Sequence, residues 1–256
     1  MLKLYGKEFK SRFILGTSKY PSIETMRVAI QESGAEIVTV SLRRQSPESN
    51  GGESFWRSIQ SLNVSILPNT AGCFSVKEAI ATANMAREFF KTNWIKLEII
   101  GDEMTLQPNP FLLVEAAQKL TQQGFCVFPY MTDDLVLAKE LLKVGCEVLM
   151  PWASPIGSGN GLMSPFHLKI IRQNFPSLPL IIDAGIGAPS HASLAMELGY
   201  DGILLNSAVA CSKNPVQMAK AFSLAIESGR MAYLSGLMPQ SDIAVATTPQ
   251  IGIPFL

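Results

Sequence analysis

The most informative stretch of the sequence is Asn93-Trp94-Ile95-Lys96-Leu97-Glu98-Ile99-Ile100-Gly101. Its β-branched and aromatic residues, followed by glycine, are typical of a buried strand. Side chains alternate along a strand, so the apolar residues at 95, 97 and 99 share one face, and Lys96 and Glu98 share the other. An α/β barrel suits this pattern, because one face of each strand meets helices and the other faces the barrel interior.

The charged face of this strand has two interpretations. Inside a barrel a lone lysine is expected to lose its proton easily, because burial disfavours the charged form. A neutral lysine can form a Schiff base with a carbonyl substrate, which makes Lys96 a candidate catalytic residue. Alternatively, Lys96 and Glu98 form a buried ion pair with a structural role only.

The rest of the chain alternates predicted strands and helices through eight βα units, which favours a (β/α)8 TIM barrel over a doubly wound sheet. We expect one α/β domain over residues 1–256, a short hairpin at 2–11, a last helix at 215–228 and an irregular tail at 229–256. Ser190 is the predicted N-cap of the seventh helix. The predicted barrel strands are 13–16, 37–40, 65–68, 93–101, 126–129, 148–150, 180–183 and 202–206.

Composition narrows the function. The chain has 256 residues, 47% of them apolar, and 21 basic residues balance 21 acidic ones. This balance argues against a nucleic-acid or membrane-surface protein, and no apolar run is long enough for a membrane span. Four scattered cysteines, two histidines and no evident signal peptide predict a cytosolic-type protein without a metal or organic cofactor.

Polar residues gather where the predicted strands end, which is where TIM barrels form their active sites. Asp183 closes the apolar run before it and suits a general acid or base beside Lys96. It could instead cap the glycine-rich loop that follows. Asn206 and Ser207 follow the eighth strand.

Three segments are candidates for binding a phosphate or another anion. Ala184-Gly185-Ile186-Gly187 and Asn206-Ser207-Ala208 follow the seventh and eighth strands, whose loops often hold phosphate in such barrels. The glycine-rich loop at 154–161 could clamp a ligand or act only as a flexible lid. Arg43-Arg44 could meet an anion or an acidic partner, although a solvated charge pair is also expected there.

Taken together, the chain resembles thiazole synthase of bacterial and plastid thiamine biosynthesis over essentially its whole length. Two details depart from the family pattern: Trp152-Ala153 stands where Leu-Gly is usual, and Ser207 stands where Thr is usual. The stretches that carry the resemblance are 16–20, 33–40 with 43–44, 67–73, 96–98, 154–159, 183–187 and 196–199.

The resemblance implies a TIM barrel that acts on 1-deoxy-D-xylulose 5-phosphate. It implies that Lys96 forms the Schiff base and that Glu98 and Asp183 are acid/base groups. Substrate phosphate would be bound by a set of five residues: Gly157, Ala184, Gly185, Asn206 and Ser207.

The resemblance also implies further reactants and partners. A small ubiquitin-like sulfur carrier protein would supply sulfur through its C-terminal thiocarboxylate, and a separate enzyme would supply dehydroglycine. We also expect a homo-oligomer in the cytoplasm or a plastid stroma. Two alternatives remain: another Schiff-base, aldolase-like phosphosugar enzyme, and a non-catalytic barrel subunit that binds a phosphorylated metabolite.

Overall fold

The structure, a computed structural model, describes residues 1–42, 52–245 and 247. It contains a two-stranded hairpin and a parallel sheet of eight strands, with helices between consecutive strands. The hairpin strands are β1 (Leu2–Leu4) and β2 (Lys7–Phe9). The sheet strands are β3 (Phe13–Gly16), β4 (Ile37–Ser41), β5 (Ser65–Asn69), β6 (Trp94–Leu97), β7 (Cys126–Met131), β8 (Met150–Pro151), β9 (Ile181–Asp183) and β10 (Gly202–Leu205).

The sheet curls into a barrel. Its strand order is β8-β7-β6-β5-β4-β3-β10-β9, so its two outer strands are β8 and β9. Two parallel bridges, Leu149 with Leu180 and Trp152 with Asp183, bring these outer strands together. The predicted TIM barrel with an N-terminal hairpin is therefore confirmed.

The helices surround the sheet, and two of them follow serine N-caps. Ser22 and Ser75 each accept a backbone N–H of the first turn, as an N-cap serine does. None of the helices in the described ranges is long and apolar enough to cross a membrane. The helices are α1 (Ile23–Ser33), α2 (Gly52–Gln60), α3 (Val76–Phe90), α4 (Pro110–Gln122), α5 (Leu135–Lys143), α6 (Pro165–Asn174), α7 (Pro189–Glu197), α8 (Ser207–Ala210) and α9 (Pro215–Ser235).

Two predictions of helix ends are wrong. The N-cap of α7 is Ala188, not Ser190, because Pro189 occupies the first turn, where its missing N–H costs nothing. The last helix continues through Gly229 to Ser235 instead of stopping at 228. Gly229 is needed for packing: a Cβ there would lie 2.4 Å from the carbonyl oxygen of Ser193 on α7.

The predicted hairpin closes the N-terminal end of the barrel. Leu2, Leu4 and Phe9 are buried in one cluster with the inward-facing apolar residues of the barrel strands. The two turn residues, Tyr5 and Gly6, have φ of 44° and 76°, as tight hairpin turns require.

The alternation of side chains along each strand places polar groups inside the barrel at its C-terminal end. Trp94 on β6 and Ile181 on β9 belong to the inner apolar cluster. Two residues further along each strand, Lys96 and Asp183 therefore point inward as well. Ile95, Leu97 and Ile99 belong instead to the outer core against the helices, as predicted.

Candidate active site

The centre of the site is a buried cluster of one lysine and two carboxylates. The Nζ atom of Lys96 lies 2.7 Å from Oδ2 of Asp183 and 3.1 Å from Oε1 of Glu98. These three residues are 6%, 1% and 5% exposed, respectively. The structure thus brings together the three side chains that the sequence nominated as catalytic.

The charge state of Lys96 differs from the prediction that it loses its proton easily. Burial alone lowers the pKa of Lys96, but the attraction of Asp183 and Glu98 and their hydrogen bonds outweigh it, so the pKa is raised. In the unliganded site Lys96 is therefore an ammonium group.

Asp183 is placed to take a proton from Lys96, because its Oδ2 lies 2.7 Å from Lys96 Nζ. Burial raises the pKa of Asp183 to about 6; Lys96 opposes this shift and the charge of Glu98 adds to it. One lysine cannot neutralise two carboxylates, so the cluster carries an excess negative charge that a proton on Asp183 relieves.

Two residues that the sequence analysis did not single out complete the cluster. The buried Thr70 hydroxyl donates to the carbonyl oxygen of Glu98 at 2.7 Å and accepts its backbone N–H at 2.8 Å. Lys96 Nζ lies 5.6 Å from the ring centre of Tyr130, close enough for a cation–π contact. The inward position of Tyr130, two residues after Phe128 of the inner cluster, is the signal that could have identified it.

The loop after β9 is built tightly against the loop after β8. Ala184 has a φ of 72°, a left-handed conformation that is costly for a residue with a side chain. A Cβ on Gly185 would lie 2.0 Å from the Ser154 hydroxyl, and one on Gly187 would lie 2.2 Å from the Gly159 carbonyl oxygen. These glycines therefore allow the two backbones to touch directly beside Asp183.

The loop at 154–161 carries Gly157, which has a φ of 76° and open space where a Cβ would stand. Ser154 contacts Ser158 at 3.0 Å, and the Gly161 N–H donates to the Gly185 carbonyl at 2.9 Å. The Nδ1 atom of His191 accepts the Gly187 N–H at 3.2 Å.

Asn206 and Ser207 lie at the end of β10, beside the loop after β3. The Asn206 amide donates to Ser18 at 2.8 Å, and Lys19 Nζ lies 3.5 Å from the Ser207 hydroxyl. Oδ1 of Asn206 is buried and meets no hydrogen-bond donor among the described residues. Gly16 makes this arrangement possible, since a Cβ there would lie 2.4 Å from that of Asn206.

The structure therefore groups the sequence-nominated residues into two neighbouring regions: the lysine–carboxylate cluster on β6 and β9, and the loops after β8, β9 and β10. Arg43 and Arg44 lie outside the described residues. Cys73 is buried, as expected for a structural cysteine.

Fold and site define the class: a TIM-barrel enzyme with a buried lysine at the C-terminal end of the barrel. The family described as "Thiazole biosynthesis protein ThiG" matches residues 3–249. Thiazole synthases from Brucella anthropi and Brucella abortus are each 56% identical over 256 residues, covering the full length of both chains. The chain belongs to the ThiG family, and the predicted thiazole synthase class of biosynthetic enzyme is confirmed.

Two solved structures have a similar barrel fold. The barrel of the Amycolatopsis orientalis BexX/CysO complex matches with a TM-score of 0.85 at 27% identity, covering 94% of this chain and 98% of that one. Orotidine 5'-monophosphate decarboxylase from Metallosphaera sedula matches with a TM-score of 0.58 at 15% identity, covering 86% of this chain and 99% of that one. The second likeness concerns the fold alone.

Proposed function

We propose that the protein forms a thiazole phosphate from 1-deoxy-D-xylulose 5-phosphate, dehydroglycine and the thiocarboxylate of a sulfur carrier protein, through a Schiff base on Lys96. The observation that carries the proposal is the position of Lys96 Nζ, 2.7 Å from Asp183 and 3.1 Å from Glu98 in the barrel interior. A buried lysine beside two carboxylates has both the nucleophile and the proton acceptors that imine chemistry needs.

The reaction begins with proton transfer from the Lys96 ammonium to Asp183, whose raised pKa of about 6 makes it a better acceptor than an ordinary carboxylate. The free amine then attacks the ketone at C2 of the sugar, and loss of water gives the imine. Protonation of the imine nitrogen acidifies the C3 hydrogen, so that Glu98 or Asp183 can remove it and move the carbonyl character to C3.

Sulfur enters at the new carbonyl carbon. The carrier thiocarboxylate adds through its sulfur to the C3 carbonyl, and its acyl group then moves from the sulfur to the C3 oxygen. That oxygen leaves with the carrier as its carboxylate, so the sulfur remains on the sugar as a C3 thioketone. Condensation with dehydroglycine and loss of water close the ring, and Lys96 is released as the amine. The two buried carboxylates support this sequence because every step requires a proton to be moved near Lys96.

Binding of the sugar phosphate is proposed for the loops after β8, β9 and β10. Gly157, Ala184, Gly185, Asn206 and Ser207 are the proposed contacts. Support comes from Lys19, whose ammonium lies 3.5 Å from the Ser207 hydroxyl, and from backbone N–H groups in the loops after β9 and β10.

A protein partner is proposed as well. The BexX barrel was solved as a complex with CysO, which supports a carrier-type partner for the present protein as well.

Self-association is also proposed, and apolar side chains on α9 support it: Leu224, Met231 and Leu234 are 56%, 57% and 68% exposed. Light scattering of the purified protein tests whether it self-associates, and a monomer would overturn this proposal.

The decisive experiment is borohydride trapping with 1-deoxy-D-xylulose 5-phosphate, followed by intact mass and peptide mapping. We expect a reduced adduct on Lys96, none in Lys96→Ala, and a normal yield in Lys119→Ala, because Lys119 is an exposed lysine paired with Glu115. Bound sugar phosphate without an adduct would favour a non-catalytic binding subunit. Cleavage of a carbon–carbon bond of the sugar in the absence of any sulfur donor would favour an aldolase.

A further inference from the structure

Trp152 directly follows β8 and takes the next inward position beyond the inner apolar core. Val148 and Met150, at alternate positions before it, are fully buried in the cluster that fills the barrel interior. Alternation therefore directs the side chain of Trp152 towards the open end of the barrel. Its backbone pairs with that of Asp183 through a parallel bridge, so the indole begins directly beside the lysine–carboxylate cluster.

The indole forms one aromatic wall with Tyr130. The ring centres of Trp152 and Tyr130 are 6.4 Å apart, with the planes at 67° in an edge-on contact. The Tyr130 ring in turn lies 5.6 Å from Lys96 Nζ. The wall thus runs from the reactive amine outward along β7 and β8.

A hydrogen bond to a residue outside the barrel interior fixes the position of the indole. Trp152 Nε1 donates to Oδ1 of Asp133 at 2.9 Å, and the other oxygen of Asp133 lies 3.2 Å from Nδ1 of His167. Asp133 lies between β7 and α5, and His167 lies near the start of α6. The indole N–H is the single donor of this side chain, so its one bond sets the orientation of the ring.

We propose that Trp152 determines which phosphorylated ketoses reach Lys96 and that Asp133 is the residue that positions it. This inference rests on the proposed function, in which a sugar phosphate extends from the loops after β9 and β10 to Lys96 on β6. Around the barrel, β8 and β7 lie between those two ends, so the wall borders the path of the sugar. The bulk of the indole restricts that path to a five-carbon chain.

The first test measures adduct yield on Lys96 with two sugars, 1-deoxy-D-xylulose 5-phosphate and its six-carbon homologue 1-deoxy-D-fructose 6-phosphate. One carbon unit in a fitted pocket is worth about 10–200-fold in discrimination. We expect Trp152→Ala to shift the ratio of yields at least about tenfold towards the six-carbon sugar, within that range. Asp133→Ala should shift it in the same direction by less, and Asp133→Asn should keep the wild-type ratio because an amide oxygen still accepts the indole N–H.

Met163→Ala provides a control, because Met163 also lies between β8 and α6 but has a side chain that is 67% exposed. Its ratio should equal that of the wild type. An unchanged ratio in Trp152→Ala would overturn the proposal that Trp152 sets specificity. An unchanged ratio in Asp133→Ala would overturn the positioning role of Asp133.

A second test needs no substrate and separates failure of this inference from failure of the proposed function. The emission of Trp152 is isolated by subtracting the spectrum of the matching Trp152→Phe protein, since Trp56 and Trp94 are buried in both. Loss of the bond to Asp133 should make this emission at least about twofold more sensitive to acrylamide in Asp133→Ala, but not in Asp133→Asn, because only the amide keeps an acceptor. Equal quenching in Asp133→Ala and Asp133→Asn would overturn the proposal that the hydrogen bond to Asp133 holds the indole in place. Absence of any Lys96 adduct in the wild type would instead overturn the proposed function, whatever the quenching shows.

Discussion

Nζ of Lys96 lies 2.7 Å from Oδ2 of Asp183, although β6 and β9 are separated by two other strands around the barrel. The contact crosses the barrel interior, where Glu98 adds a second carboxylate at 3.1 Å. One positive and two negative groups thus share a buried space. Their competition for one proton determines the chemistry that the site can perform.

The first prediction concerns the pH dependence of imine formation. Asp183, with its pKa raised to about 6, must be ionised to accept the proton of Lys96. Below that pH it is increasingly protonated, so the rate of borohydride-trappable adduct formation should fall about tenfold per pH unit. The measurement is the initial trapping rate at saturating sugar phosphate between pH 5 and 8.

Asp183→Asn provides the control for this prediction. The variant should trap about 10²–10⁴-fold more slowly at pH 8, as expected for loss of a general base, and should lack the decline near pH 6. An unchanged decline in Asp183→Asn would assign the titration to another group.

The second prediction concerns stability after loss of the lysine. In Lys96→Ala the carboxylates of Asp183 and Glu98 stay buried without a cation, so we expect a loss of about 3–5 kcal/mol in the free energy of unfolding at pH 8. Burial raises the pKa of Asp183, and loss of Lys96 removes the attraction that opposes this shift, so its folded-state pKa lies above its unfolded-state value. Stability is therefore retained at low pH and is lost as the pH rises through the raised folded-state pKa of Asp183.

The loss should accordingly be smaller at pH 5 than at pH 8, when urea unfolding is measured at both. Lys96→Arg is the matched variant: it keeps the positive charge and should retain more stability than Lys96→Ala, yet it forms no adduct. A pH-independent loss in Lys96→Ala would contradict the presence of two uncompensated carboxylates.

Sequence periodicity was enough to predict the barrel, because alternating apolar strands and helical repeats are local signals. It also identified Lys96, Glu98 and Asp183, since charged side chains at the ends of apolar strands stand out. The charge state of Lys96 was not predictable, because it depends on Asp183, whose distance from Lys96 is set by barrel closure. Thr70 was missed for a similar reason: its contact with the backbone of Glu98 crosses between strands.

Thr70 leads to the third prediction. Its hydroxyl donates to the Glu98 carbonyl oxygen and accepts the Glu98 N–H, so Thr70→Val leaves two backbone groups without their partner in a similar volume. We expect a loss of about 1–3 kcal/mol in the free energy of unfolding. Trapping on Lys96 should also slow, because Glu98 is no longer held in place.

Thr70→Ser keeps the hydroxyl and removes only a methyl group, so its trapping rate should remain near that of the wild type. Urea unfolding and trapping rates of the two variants provide the comparison. Equal rates in Thr70→Val and Thr70→Ser would show that the hydroxyl does not position Glu98.

The fourth prediction concerns Gly229, where α9 passes close to α7. A Cβ at this position would lie 2.4 Å from the Ser193 carbonyl oxygen and 2.8 Å from the Met196 Cβ, so Gly229→Ala must push the two helices apart. Overpacking of this kind costs about 1–3 kcal/mol, against a gain of up to about 1 kcal/mol from the better helix propensity of alanine. We expect a net loss of stability in urea unfolding, with the Lys96 trapping rate unchanged at 25 °C.

The neighbouring Ser228 is exposed, so Ser228→Ala should change stability by less than about 0.5 kcal/mol. If Gly229→Ala proved as stable as Ser228→Ala, the close approach of α9 to α7 would not require a glycine at this position.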